Sequence, residues 1–535
     1  MKKEMLRYIL MAGVAILSAC SSNDDFLKEN LYGKLFPESF FRNPEELTLA
    51  NNALYSSLNG VFSGDDSRYM IGFFGGDDIT TPYSYQTPFV QNDIFVHQAS
   101  NAQMRSGYNG AYGTINIANA IIANYQNAKG TLSNEKLLYF AGQAHFARAY
   151  LYFWLVRFFN DIPYVTTARV IDRTMKPSPP EEVYEHIIAD LKIAEEWLPQ
   201  SWNGIDQLLY NGAAFTKGAA KATLASVYLT MAGYPLKKTE YYKLAAEKAK
   251  EIIDKESEYG YRLVNHCQEL WSPFPKINSE VVFATVYNKI GGYSSRAPKE
   301  GRPVQFGGFE GYCAEINFFL RFPAGERREA TFVYEFPLPD GSPAARPVIP
   351  WPADKPMLSW QDMRFAHPYY NKMWESEESY GSTKFKQLNE SEWNSGRTNQ
   401  MIRYAEVLLI YAEAQAMADG APNTLAYNCI NRVRNRAYAG AGSTGKELQP
   451  GLSATAFRDS VFVERGWEFA GFEMASRWFD LVRFELVEDA AKETPANKFL
   501  PGRSPKEWEI LSPPTKQSYF FPIPEEDAKL NPNLL

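Results

Sequence analysis

The residues best able to hold a ligand are aromatic side chains on irregular stretches, because a ring on a loop can face solvent while a ring on a helix usually fills core. Tyr83 and Tyr85 sit beside Pro82 and Pro88, and Tyr293, Tyr312, Trp351 and Trp360 fall in a second turn-rich stretch. Such rings stack on the apolar face of a pyranose, and Asp, Asn and Arg side chains bond its hydroxyls. Gly76-Asp77-Asp78 adds adjacent carboxylates, of which Asp78 joins the rings as a candidate ligand contact. Any single ring can equally pack its own loop, so the cluster carries the reading. Aromatic residues make up 15% of the 535, a share that serves either use.

Reaction chemistry finds little support. Gly440-Ala441-Gly442-Ser443-Thr444-Gly445-Lys446 nearly spells a phosphate loop, but Glu447 replaces the hydroxyl residue that would hold magnesium, and no buried strand precedes it. The five histidines, His97, His145, His186, His266 and His367, form no short-spaced pair for zinc. A Gly-x-Ser-x-Gly elbow is absent. Paired carboxylates for glycoside hydrolysis have no fixed spacing in a sequence, so an anchored hydrolase stays a minor alternative. No cofactor and no metal site is expected. With 55 Lys plus Arg against 62 Asp plus Glu, and no long basic run, nucleic acid is not an expected partner.

The first residues read as a leader. Lys2, Lys3 and Arg7 precede a short apolar run from Tyr8 to Leu17, about half of the roughly 20 residues that span a bilayer. Leu17-Ser18-Ala19-Cys20 resembles the bacterial lipoprotein box, in which the cysteine is lipidated and becomes the N-terminus. Cleavage there removes three basic residues and one acidic residue and takes the net charge from −7 to −9. Attachment should therefore come from acyl chains and not from basic charge. Ser21-Ser22-Asn23-Asp24-Asp25 then reads either as a solvated tether or as a surface-export signal. Cys267, Cys313 and Cys429 are odd in number and widely spaced, which argues for buried small hydrophobes and against a disulfide framework.

Behind the candidate loops stand helices. Apolar residues recur at helical spacing over 45–58, 113–127, 134–159, 180–198, 213–232 and 240–255, and again over 401–417 and 424–437. Two hairpins stand out, turning at Gly233-Tyr234-Pro235 and at Asp419-Gly420-Ala421-Pro422, with small and large residues alternating on facing sides. This points to a mainly α chain, a divergent tetratricopeptide-like superhelix without a fixed repeat. Between about 256 and 396 glycines and prolines punctuate short segments, and only Val281 to Tyr287 reads as a strand. The expected organisation is a leader over 1–19, a lipidated tether over 20–35, a helical part over 36–255, a loop-rich insertion over 256–396 and a helical part with tail over 397–535.

Several segments together resemble the SusD/RagB-like family of outer-membrane nutrient-uptake lipoproteins. They are Gln143 to Phe153 with Asp161-Ile162-Pro163, Met401 to Ala414 with Ile430 to Ala437, Glu464 to Phe469 with Arg477 to Arg483, and Phe521-Pro522-Ile523-Pro524 with Asn531-Pro532-Asn533-Leu534. Two positions depart from the pattern: Asn160 stands where glycine is common, and the chain stops at Leu535 without the Gln-Asn that often follows. The pattern Tyr108-x3-Tyr112-x2-Ile115-x3-Asn119 looks like a family element whose leading ring, Tyr108, reaches the binding face. The resemblance implies a lipid-anchored, surface-exposed, non-catalytic glycan-binding protein of the outer membrane, acting as a lid on a SusC-like TonB-dependent transporter. Peptide capture, as in the RagB-like branch, and an adaptor that binds its barrel alone are the alternatives on the same fold. Charges on the apolar motif helices, Arg403, Glu406, Glu464, Glu468, Arg477 and Asp480, are expected to join one helical pair to the next through ion pairs.

Overall fold

The computed structural model describes residues 40–534 except 64–75, 83–85, 169–171, 204, 206–213, 272–276, 288–294, 296, 305–307, 338–356, 364, 372–395, 397, 439–445, 472, 474–475 and 494–512. Six long helices open the described chain: α1 (Pro44–Phe62), α2 (Ala102–Asn124), α3 (Asn134–Phe159), α4 (Pro180–Trp197), α5 (Lys217–Ala232) and α6 (Tyr241–Ile253). Their starts are set by capping residues. The side chains of Asn43, Asn101, Ser133 and Thr216 each accept a bond from a free N–H of the following turn. Each helix packs on the next, α1 on α2 through to α5 on α6.

At the centre lies α3, in which every residue from Phe140 to Val156 is buried. A helix apolar all round must be enclosed by others. It ends at Asn160, whose φ of 62° is the left-handed geometry that asparagine, like glycine, tolerates. In the α5–α6 hairpin Ala222, Ala225, Tyr228, Tyr242, Ala245 and Ala249 are all buried, so the small residues let the axes approach and the rings fill the grooves.

After a segment of short elements, including α7 (Ile316–Arg321) and α8 (Glu326–Thr331), the second helical block contains α9 (Tyr404–Asp419), α10 (Thr424–Ala437), α11 (Ala454–Glu468), α12 (Ser476–Phe484) and α13 (Val487–Glu493). Helix α9 packs on α6, α10 and α11, which carries the superhelix across the segment between them. Gly420, at φ 77°, ends α9. The result is a mainly helical, tetratricopeptide-like superhelix with a loop-rich insertion.

Strands among the described residues are short and form antiparallel pairs. They are β1 (Ile79–Thr80) with β3 (Cys313–Ala314), β2 (Val281–Thr285) with β8 (Asn399–Arg403), β4 (Phe332–Val333) with β7 (Tyr369–Tyr370), and β5 (Glu335–Pro337) with β6 (Met357–Ser359). Two boundaries differ from the sequence reading. Met401 to Arg403 belong to β8 and not to the following helix, because their backbone pairs with β2. Helix α2 begins eleven residues before Gly113, since the Asn101 cap starts it and the core accepts Gly107. No helix among the described residues is long and apolar enough to cross a membrane.

The tail clasps the first block. Phe521 donates its N–H to Phe158 O at 2.7 Å and stacks on His97 at 3.7 Å, and Asn531 and Asn533 side chains donate to Met175 O and Thr174 O.

Candidate functional site

Cys20, Tyr83, Tyr85, Tyr293 and Trp351 lie outside the described residues, as do the leader and most of 440–446. Asp78, Tyr108, Tyr312 and Trp360 are placed. Asp78 is 3% exposed. Its Oδ2 accepts from Gly471 N at 2.8 Å and its carbonyl accepts from Tyr370 Oη at 2.6 Å, so it ties the turn after α11 to β7. Tyr108 packs against Phe159 and Tyr112, and Tyr312 against Phe89, and both rings are buried. The rest of the Tyr108 element also closes on protein: Tyr112 Oη donates to Pro163 O at 2.7 Å and Asn119 Nδ2 to Val165 O at 3.0 Å. These residues hold the chain that leaves α3.

Trp360 is different, half-buried directly after β6. Its N–H donates to Tyr334 O at 2.8 Å, which fixes the turn, and its ring centroid lies 6.3 Å from that of Phe319 on α7. Phe319 meets Tyr334 at 5.2 Å, and the Arg328 guanidinium from α8 lies 4.4 Å over Phe319 and 5.6 Å over Tyr334. Tyr334 Oη donates to both Glu329 oxygens at 2.7 Å, and burial followed by that hydrogen bond pushes its phenol up to about 12. Half-buried Tyr334 thus stands beside an arginine and a carboxylate, and half-buried Trp360 meets the same Phe319 ring. Rings offer an apolar platform, and Arg328 and Glu329 offer a donor and an acceptor at its edge.

Tyr334 and Arg328 were not singled out from the sequence. The alternation Phe332, Tyr334, Phe336 was the available signal for Tyr334, since period two sets the three rings on one face of an extended segment.

The motif charges form a buried hub. Arg403 bonds Glu473 and Glu468, each at 2.7 Å, and also Glu280, while Arg436 reaches Glu280 and Glu468. Arg327 bonds Glu464 at 2.7 Å and Glu468 at 2.9 Å. Burial alone would raise the Glu468 carboxyl, but Arg436, Arg403 and Arg327 outweigh it and hold the group far below the ordinary range. A second knot joins Arg465 to Asp480 at 2.7 Å and Arg483 to Asp480 at 2.8 Å and to Glu413. The pairs connect α8, β8, α9, α10, α11 and α12. They specify the scaffold, and the 60 Å³ cavity beside them is too small for a sugar.

The buried cysteines and the metal-ligating side-chain types can be placed among the described residues. Burial pushes the Cys267 and Cys429 thiols up to about 12, so both stay protonated, and no group of three His, Cys, Asp or Glu could hold a metal ion.

The tetratricopeptide-like superhelix is the fold of solved SusD-like structures, and the chain belongs to the SusD family. The family model described as SusD family matches residues 359–535, and one described as starch-binding associating with outer membrane matches residues 77–229. SusD-like protein P2 of Formosa agariphila is 30% identical over 571 residues, covering 100% of this chain and 99% of that protein. The fold is similar to that of a SusD homolog from Bacteroides thetaiotaomicron, with TM-score 0.74 and 22% identity over 93% of this chain and 97% of that one. It is also similar to surface glycan-binding protein A from Bacteroides fluxus, with TM-score 0.68 and 20% identity over 90% and 96%.

Proposed function

We propose that this chain captures glycans at the surface of the outer membrane, anchored by a lipid on Cys20, and passes them without cleavage to a SusC-like TonB-dependent transporter. The observation that carries the reading is that half-buried Trp360 and Tyr334 both meet Phe319, with Arg328 and Glu329 beside Tyr334. A family description that names starch binding and outer-membrane association, and a structural neighbour named as surface glycan-binding, support the ligand class and the location.

On this reading, residues 20–35 are the tether, and the insertion over 256–396 carries the binding face between the helical parts over 36–255 and 397–535. Trp360 is the anchoring ring, Tyr83, Tyr85, Tyr293 and Trp351 are the further candidate ligand contacts, and Asp78, Tyr108 and Tyr312, being buried, act through packing. Modest affinity suffices, because tethering beside a transporter raises the effective concentration of captured sugar.

The test is affinity electrophoresis of the chain from residue 21 through a panel of polysaccharides, with a peptide mixture titrated alongside. Retardation by one glycan class without product is the expected result. Capture of peptides alone would replace the ligand with a RagB-like one, and release of sugars would overturn the non-catalytic reading.

A further inference from the structure

Helix α7 has two working sides. Phe319 belongs to the Trp360 platform, whereas Phe318 and Arg321, three residues apart and so on one side of the helix, line a separate cleft of about 370 Å³ against α11, α12 and α13. Volumes of a few hundred Å³ are those of small-molecule sites. Half-buried Phe462 and Trp467 contribute ring surface, and Val463 between them is 42% exposed.

Polar groups are placed among these walls. Asp77 holds Arg477 from two sides, Nε to Oδ1 at 2.6 Å and Nη2 to Oδ2 at 2.7 Å, and the guanidinium lies 4.5 Å over the Phe462 ring. The third nitrogen, Nη1, sits against Gly466, where a Cβ would come within 2.8 Å of it, and makes no hydrogen bond among the described residues. A donor fixed in direction and left without an acceptor is suited to a ligand hydroxyl. Asp489, which also bonds Lys492 at 2.8 Å, gives the cleft an acceptor. On α7 between the two sides, Leu320 is 61% exposed. Leu320 thus presents an apolar side chain to solvent on α7 between Phe319, which meets Trp360, and Arg321, which lines the cleft.

We infer that the cleft is a second sugar subsite, and that one glycan chain seated on Trp360 continues over Leu320 to lay a further ring against Trp467 and Phe462, with a hydroxyl on Arg477 Nη1. A pyranose has an apolar face and a hydroxyl rim, and the cleft offers a surface for each. A helix with its side chains is roughly 10–12 Å across, so bridging needs several sugar units and a disaccharide occupies one side only. Engaging both sides with one chain makes the second contact intramolecular and tightens binding without a new partner. The inference rests on the glycan reading of the Trp360 platform.

The experiment is calorimetric titration of the full-length chain in detergent with maltose and maltohexaose, and with laminaribiose and laminarihexaose. For one of the two series, the hexasaccharide should bind at least about tenfold tighter than the disaccharide, a usual effect of one buried aromatic anchor. Trp467→Ala and, independently, Val463→Glu on the exposed wall should remove that difference and leave the disaccharide unchanged. Val463→Glu serves as the control for folding, because its side chain already faces solvent. If hexasaccharide binding is lost with Trp360→Ala but kept by both cleft variants, the cleft is not a subsite and the platform reading survives. If neither series binds the unaltered chain, both readings fail together.

Discussion

Asp77 and Arg477 stand 400 residues apart in the chain and form a two-pronged ion pair at 2.6 and 2.7 Å, which pins the loop before β1 to helix α12. The pair is nearly withdrawn from water, at 7% and 12% side-chain exposure, so each charge depends on the other for its solvation. Removing one member leaves its partner's charge uncompensated and mostly withdrawn from water, which costs up to about 3–5 kcal/mol. Asp77→Asn should therefore lower the urea midpoint strongly with an unchanged slope. Arg321 reaches Asp77 only at 3.5 Å with its side chain 47% exposed, and Arg321→Gln should cost less than about 1 kcal/mol. Equal midpoints for the two variants would refute this ranking.

Glu468 is the convergence point of Arg403, Arg436 and Arg327, and its carboxylate is fully enclosed. Glu468→Gln keeps the shape but removes the charge that three guanidinium groups share. The expected loss is again about 3–5 kcal/mol, because the buried arginines are left undercompensated. Lys250→Ala, which breaks an exposed pair with Asp254, should move stability by no more than about 0.5 kcal/mol. Chemical denaturation of both variants decides whether the hub or surface pairing carries the scaffold.

Trp360 tests the platform without testing the core. Trp360→Ala should weaken glycan retardation about tenfold or more, while the melting temperature stays within a few degrees, since the ring is only half-buried. Tyr334→Phe keeps the ring and loses the bond to Glu329, so it should reduce affinity much less. Full retention of binding by Trp360→Ala would remove the platform from the site.

What the sequence showed well was local. The 26-residue span of α3 and the small-large alternation of the α5–α6 hairpin follow from helical periodicity, and both stand as expected. Partners distant in the chain were not legible. Arg477 has Asp480 three residues on, yet its guanidinium is taken by Asp77, while Asp480 pairs with Arg465 and Arg483. Met401 to Arg403 extend a helical pattern by apolarity alone, and only the pairing with β2 makes them strand. The same limit governs the site residues: nothing near Tyr312 in sequence announces Phe89, and nothing near Trp360 announces Phe319, the ring it meets across the fold.

Buried carboxylates give stability opposite dependences on pH, which can be separated by one substitution. Burial raises Asp77, Asp190 and Asp480, but adjacent arginines, with His145 at Asp190, outweigh it and hold all three below the ordinary range. Their contribution is present above the unfolded value near 4 and disappears as pH falls through the lower folded values. Glu315 behaves in reverse. It is 3% exposed, and burial together with Asp93, Asp77 and Asp78 raises its carboxyl well above the ordinary range. A raised folded value favours the fold below the unfolded value, and that advantage is lost as pH rises toward the folded one. Glu315→Gln fixes the neutral form at every pH, so it should stabilise the chain at pH 8 relative to the unaltered protein and change little at pH 4. Urea midpoints measured across that range check the sign, and a variant less stable at pH 8 than at pH 4, relative to the unaltered chain, would show that Glu315 is charged in the fold.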